Sequence, residues 1–268
     1  MEPCLTLSGV SWRHIVRDFS TWKPWAKRAG AGIHSIDLKI NKGTILGLIG
    51  PNGAGKTTLM RAICGLYDCE GFNKTANTRR SEIGYMPEQV RWEGNVSVKH
   101  AIESIAMMRD DEVEVDGIIQ TVGLSSKSDE ILDNLSQGMR QRLSLACALI
   151  GNPKILVMDE PLNGLDPLAQ RAFCNLLRSL ASKGVAVIIS SHQVTDLESL
   201  VDRIALLHHG QMLIEGTLTK VREELGLDEK SGIVEMICSA TGISPEDVSL
   251  QLSNDDMLPF RTLGAEEE

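Results

Sequence analysis

Residues 44–64 read Thr44-Ile45-Leu46-Gly47-Leu48-Ile49-Gly50-Pro51-Asn52-Gly53-Ala54-Gly55-Lys56-Thr57-Thr58-Leu59-Met60-Arg61-Ala62-Ile63-Cys64. An apolar run, a glycine-rich bend and a helical pattern follow one another without interruption, and the bend fits G-x-x-x-x-G-K-S/T. The run 44–49 is rich in Ile and Leu and does not alternate, as expected of a strand buried on both faces of a parallel sheet. The glycines allow backbone N–H groups to curl around phosphate oxygens, and the start of the helix 56–64 adds partial positive charge. Gly50, Pro51, Asn52, Gly53, Ala54, Gly55, Lys56, Thr57 and Thr58 are therefore candidate nucleotide contacts. Lys56 is placed to reach the β- and γ-phosphates and Thr57 to ligate Mg²⁺.

Working outward, runs of the same kind recur at 155–158 and 185–189, separated by helical patterns at 138–149 and 167–182. Strand and helix in alternation predict an α/β fold, a P-loop NTPase core with a mostly parallel sheet. Ahead of it, 4–8 and 36–40 alternate as strands of an N-terminal antiparallel β part, with Asn41-Lys42-Gly43 as the following turn. Residues 95–127 break the rhythm with helical patterns at 97–108 and 112–122. They predict an α-helical subdomain inserted at about 88–148 of a domain spanning 1–225. Periodicity weakens after Gly226 and the chain ends in Glu266-Glu267-Glu268, which predicts a small C-terminal appendage or flexible acidic tail over 226–268.

Composition narrows the class. The 268 residues are 42% hydrophobic and 24% charged, enough for a full core, and the formal charge of -9 argues against a general nucleic-acid binder. Cysteines 4, 64, 69, 147, 174 and 238 form no CxxC pair, which fits buried thiols in a reducing compartment. Met1-Glu2-Pro3 lacks the basic start of a secretion signal, and no run of about 18 apolar residues is present to cross a bilayer. A membrane role is expected to be exercised through a partner.

A P-loop alone leaves kinases, GTPases and ATPases open. Ile155-Leu156-Val157-Met158-Asp159-Glu160 supplies a strand ending in two adjacent carboxylates. Asp159 is a candidate metal ligand, and Glu160 is a candidate general base that polarises a water in line with the γ-phosphate. The guanine-specificity pattern N-K-x-D does not occur: Asn41-Lys42 is followed by Gly43-Thr44, and Asn73-Lys74 by Thr75-Ala76.

With these motifs in place the sequence resembles the ATP-binding subunits of ABC transporters, from about residue 4 to 225. Gln89, in Tyr85-Met86-Pro87-Glu88-Gln89, matches the family's Q-loop, which contacts Mg²⁺ and the water and hinges the helical lobe. Leu165-Asp166, in Asn163-Gly164-Leu165-Asp166-Pro167, matches the D-loop that crosses the dimer. His192, in Ser190-Ser191-His192, matches the switch histidine on the γ-phosphate.

The stretch Leu135-Ser136-Gln137-Gly138-Met139-Arg140-Gln141-Arg142 occupies the place of the family's signature, most often LSGGQ, which faces the ATP held by the other subunit. The site needs a cap hydroxyl, a close backbone approach and N–H groups aimed at phosphate. Ser136 keeps the first and Gly138 the second. Gln137 stands where glycine is usual, so its φ must be negative and its side chain must point away from phosphate. Met139 stands where glutamine is usual and forfeits a side-chain hydrogen bond; Met followed by Arg-Gln-Arg resembles a variant of export-type members.

Family members usually stack an aromatic residue near the first strand on adenine. The pattern places His14 there, with Trp12 two residues earlier. The long segment 15–32 follows, with Trp22, Trp25, Arg17, Lys23, Lys27 and Arg28 against the acid Asp18. It fits either an extended hairpin with a solvated basic face or a contact with anionic lipid or the membrane subunit.

The resemblance implies a peripheral ATPase on the cytoplasmic face of the membrane. It is expected to dimerise, as homodimer or heterodimer, around two Mg-ATP molecules and to drive separate transmembrane permease subunits, with export favoured. A P-loop and a signature in one chain serve opposite sites, so both are completed only in a two-fold pair. Two other readings stay open: an ABC-type ATPase acting on ribosomes or DNA, and a non-catalytic module clamped by ATP.

Overall fold

The structure, a computed structural model, describes residues 3–17, 27–69, 79–109, 113–191 and 197–244. Its centre is a six-stranded sheet in the order β4-β5-β6-β3-β7-β8, formed by Ile45–Ile49 (β3), Ile83–Met86 (β4), Ile155–Met158 (β5), Ala186–Ser190 (β6), Arg203–His208 (β7) and Gln211–Gly216 (β8). All neighbours are parallel except β7 and β8. A separate antiparallel pair, Pro3–Arg17 (β1) and Lys27–Asn41 (β2), lies upstream. Helices Lys56–Ile63 (α1), Val98–Arg109 (α2), Val115–Thr121 (α3), Gln137–Ala148 (α4) and Pro167–Ser182 (α5) complete the mixed α/β architecture.

Why the central strands carry no alternation is visible in the packing. On β3, Ile45 and Ile49 enter one hydrophobic cluster and Leu46 and Leu48 the other. On β5, Leu156 and Met158 oppose Ile155 and Val157 in the same way. One cluster is closed by α1 and the β1–β2 pair, through Leu59, Met60, Ile63, Leu5, Leu7 and Ile36. The other is closed by the helical region and α5, through Ile102, Leu143, Leu145, Phe173 and Leu177. With both faces covered, no position of β3 or β5 carries a polar side chain.

The β1–β2 pair is longer than its alternating parts, 4–8 and 36–40, predict. Gly9 takes φ 64, and the register shifts between Leu7 and Val10, between Val10 and Trp12, and between Arg13 and Ile15. Each irregularity turns the side-chain phase over, so the alternation fades while the pairing continues to Arg17↔Lys27. Past residue 225 the described chain forms a helix, Ile233–Thr241, whose Ile233, Met236 and Ile237 are buried in the cluster that also holds Leu200 and Val201. Residues 245–268, and with them the acidic end, lie outside the described residues.

Candidate nucleotide-binding cleft

The bend between β3 and α1 borders a cleft of about 330 Å³ lined by His14, Asn52, Gly53, Ala54, Gly55, Lys56, Thr57, Thr58, Glu88, Asp159 and Glu160, among others. Residues far apart in sequence thus meet as the motifs predict. Lys56 is 8% exposed, and its Nζ donates to the carbonyls of Gly50 at 2.7 Å and Pro51 at 3.3 Å. The ammonium is held inside the loop it must serve.

Backbone contacts fix the loop from outside. The Gly210 N–H donates to the Ala54 carbonyl at 2.9 Å, and the His34 N–H donates to the Gly210 carbonyl at 2.8 Å, so the β7–β8 turn bridges the phosphate loop and β2. Gly210 has φ +76, and a Cβ on it would lie 2.1 Å from the Gly32 carbonyl oxygen. A Cβ on Gly55 would meet Ile33 at 3.0 Å and the Gly210 Cα at 3.4 Å. Three strands of backbone pass where side chains cannot fit.

Across the cleft, Asp159 and Glu160 are buried at 2% and 6% exposure. The Asp159 N–H donates to the Met86 carbonyl at 2.9 Å, which ties the end of β5 to that of β4. Ser190, fully buried at the end of β6, donates its hydroxyl to Asp159 Oδ1 at 2.6 Å and accepts from the Glu160 N–H at 3.0 Å. Glu160 holds φ 49, in the left-handed region, where the backbone cost is about 1–3 kcal/mol for a residue with a side chain. Asp159 and Glu160, just past the end of β5, thereby line the cleft. Ser190 as a support is absent from the motif reading, because nothing in a strand-end serine distinguishes it before β5 and β6 are known to be neighbours.

The cleft suits a nucleoside triphosphate with magnesium on its own chemistry. Amide groups and a buried ammonium face one side, and Thr57 and Asp159 offer a hydroxyl and a carboxylate, the hard oxygen donors that magnesium requires. Gln89 does not line this cleft; Glu88 does. Gln89 borders a second cleft of about 210 Å³, shared with Gln137, Arg140, Gln141 and Ser144 of the α4 region. There the Trp92 indole N–H donates to Ser144 Oγ at 2.7 Å and locks the segment after Gln89 to α4. His192 lies outside the described residues, as do Trp22 and Trp25.

Ser136 caps α4, accepting from the Met139 N–H at 3.4 Å. Ser136 and Gln137 are exposed, and Gln137 is not among the described residues with positive φ, in keeping with the constraint read from the sequence. A Cβ on Gly164 would come 3.4 Å from Gln137 Cγ, so the Gln137 side chain leans over its own chain's loop. Gln141, 6% exposed, donates from Nε2 to the Asn163 carbonyl at 3.5 Å in the same loop. Met139 packs against the hydrophobic cluster, so the lost polar contact at this position is replaced by apolar burial. Asp166 caps α5, accepting from the N–H groups of Leu168 at 3.0 Å and Ala169 at 2.9 Å.

At the other end of the cleft His14 reaches the lining and Trp12 does not. The Trp12 ring stacks on Tyr67 with centroids 3.8 Å apart and planes at 4°, and meets His14 edge-on at 4.3 Å.

Fold and cleft together define a P-loop nucleotide-binding domain with an inserted helical region. A family model described as ABC transporter matches residues 33–163. The lantibiotic transport ATP-binding protein SrtF of Streptococcus pyogenes is 33% identical over 190 residues, 68% of this chain and 83% of that one. The probable multidrug ABC transporter ATP-binding protein YbhF of Escherichia coli (strain K12) is 31% identical over 214 residues, 75% of this chain but 37% of that protein's length. A solved ATP-binding subunit of an ABC transporter shares the fold, with a TM-score of 0.72 at 23% identity, covering 89% of this chain and 99% of that one. The chain belongs to the ABC transporter ATP-binding family.

Proposed function

We propose that this chain binds and hydrolyses Mg-ATP as one of a pair of ATP-binding subunits and drives export through separate transmembrane subunits. The observation that carries the reading is Glu160, buried beside the phosphate loop with its backbone held by the hydroxyl that also grips Asp159. Lys56 and the loop amides hold the triphosphate, and Thr57 and Asp159 hold the metal. Magnesium, when bound, offsets charge across the β- and γ-phosphates. Glu160 takes the proton of the attacking water, His192 contacts the γ-phosphate, and Gln89 enters from the neighbouring cleft as the helical region turns inward. His14 stacks on adenine.

The pairing has its own support. A Cβ on Gly138 would meet Leu165 at 3.6 Å and Ala169 at 3.7 Å, ordinary contact distances, so this chain's own packing does not call for glycine there. A close approach from a second molecule, as in the proposed pair, would. No helix among the described residues is long and apolar enough to cross a membrane. Export is supported by the Met139-Arg140-Gln141-Arg142 variant of the signature and by the similarity, 31% over 211 residues, to the Nod factor export ATP-binding protein I of Sinorhizobium fredii.

Glu160→Gln tests the proposal. The variant is expected to bind ATP as the parent does, to turn over about 10²–10⁴-fold more slowly, and to elute as a dimer with ATP on size exclusion. Turnover at the parent rate would assign the base elsewhere and leave Glu160 as part of an ATP-held clamp.

A further inference from the structure

We propose that Tyr67 and Arg61 are positioning residues for the nucleobase, holding His14 through Trp12 at the height above the phosphate loop where adenine is stacked. This deepens the assignment of His14 made above and rests on it.

Four side chains form a continuous line. Arg61 lies on α1, five positions after Lys56, and donates from Nη1 to the Tyr67 hydroxyl at 3.1 Å. Tyr67 lies face to face on Trp12 with centroids 3.8 Å apart, and the Trp12 ring meets His14 edge-on at 4.3 Å with planes at 81°. Tyr67 also faces His14 edge-on at 6.2 Å. The line starts on the helix that carries the phosphate-binding lysine and ends on the residue that lines the far part of the same cleft.

Such a brace answers a geometric need. The triphosphate is fixed by the loop before α1, so the base platform must stand at one height relative to α1 for both ends of the nucleotide to be held. β1 alone does not guarantee it, because its pairing with β2 is irregular on both sides of this stretch, between Val10 and Trp12 and between Arg13 and Ile15. His14 is exposed and its imidazole is a small stacking surface, so order imposed in advance matters more than it would for a large ring. Stacked and edge-to-face arrangements are the favoured geometries of aromatic rings, so the contacts hold the ring orientation. Trp12 has one face covered by Tyr67 and does not reach the cleft lining, which leaves His14 as the ring offered to the base.

The test compares Mg-ATP with inorganic tripolyphosphate plus Mg²⁺, which has the phosphate end and no base, by titration calorimetry on the full chain. Tyr67→Leu is expected to raise the ATP dissociation constant roughly tenfold and to leave that of tripolyphosphate within about twofold, in the range of a lost base stack. Tyr67→Phe keeps the stack and should stay within about threefold for both ligands. Arg61→Met removes the exposed end of the line together with an interaction with the partly buried Tyr85; it should weaken ATP by about two- to fivefold and tripolyphosphate not at all. Equal weakening of both ligands in Tyr67→Leu and Arg61→Met would make the line a support of the phosphate loop and overturn the proposal, and unchanged ATP binding in both would overturn it too. His14→Ala separates the two levels: if it binds ATP like the parent, the adenine assignment itself falls, whatever the Tyr67 variants do.

Discussion

Ser190 and Asp159 face each other across adjacent parallel strands, hydroxyl to carboxylate at 2.6 Å, with no solvent access to the serine. The same hydroxyl oxygen receives the Glu160 N–H at 3.0 Å. One small side chain thus orients a proposed metal ligand and the turn that carries a proposed base. Ser190→Ala removes an acceptor from a buried N–H and a donor from a buried carboxylate. A stability loss of about 1–3 kcal/mol is expected from urea unfolding, together with a fall in kcat that exceeds any change in ATP affinity. Parent-like kcat in a correctly folded variant would mean that Glu160 is held by the strand alone.

Lys56 is the next point of leverage. Its ammonium has two carbonyl partners within the loop, so its charge sits at the centre of the amide cradle before any phosphate arrives. Lys56→Ala should raise the ATP dissociation constant by about 10–100-fold, the worth of one charge-assisted hydrogen bond, as read by calorimetry. Undiminished affinity would refute the phosphate-loop assignment.

A backbone prediction comes from the turn between β7 and β8. Gly210→Ala places a methyl group 2.1 Å from the Gly32 carbonyl oxygen at a left-handed φ of +76. The loss of stability should clearly exceed that of Gly226→Ala, where φ is +66 and the space is open, whose cost is the conformational one of about 1–2 kcal/mol. Thermal melts of the two variants side by side decide it, and equal melting temperatures would show that the Gly32 strand yields freely.

Alkaline pH should weaken the fold through Cys64. Burial, and to a smaller extent the charge of Asp159, push its thiol up from 9.0 to about 12 against the opposing effect of Arg80. The folded chain therefore keeps a proton that the unfolded chain releases, so the stabilisation is complete below about pH 8.5 and is lost as pH rises towards 12. Cys64→Ala should flatten the decline in urea midpoint between about pH 8.5 and 10.5, by up to about 1.4 kcal/mol per pH unit for one thiol. Cys147, also pushed up by burial to about 12, supplies a second contribution that remains in that variant. Identical slopes for parent and variant would remove Cys64 from the account.

Legibility in the sequence divided along physical lines. The helix 167–182 and the strand 155–158 agree with the structure to the residue, because Asp166-Pro167 caps the first and an unbroken Ile/Leu/Val/Met run makes the second. The strand Ile83–Met86 does not show in the pattern: it has four residues, and Gly84 interrupts it where a Cβ would strike the Ala148 carbonyl oxygen at 2.1 Å. Local spacing points to the roles proposed for Lys56 and for Asp159-Glu160. It is silent about Ser190, about the left-handed backbone of Glu160, and about Tyr67 beneath Trp12, since each depends on contacts made across the fold. Gln89 is legible as a motif, whereas its place in the second cleft is not.

The junction of Gly32, Gly55 and Gly210 also governs which changes of length the chain can absorb. Inboard of the Arg13↔Gly32 pair, β2 is bonded to the β7–β8 turn and the turn to the phosphate loop, so an inserted or deleted residue there would slide the whole assembly out of step. Outboard of that pair, past His14 with its contacts to Trp12 and Tyr67, the described strands continue their register with each other to Arg17↔Lys27. Growth of the arm can therefore accumulate at its outer end without altering the nucleotide cleft, and this divides the hairpin into a root whose length is fixed and an arm free to diversify among relatives.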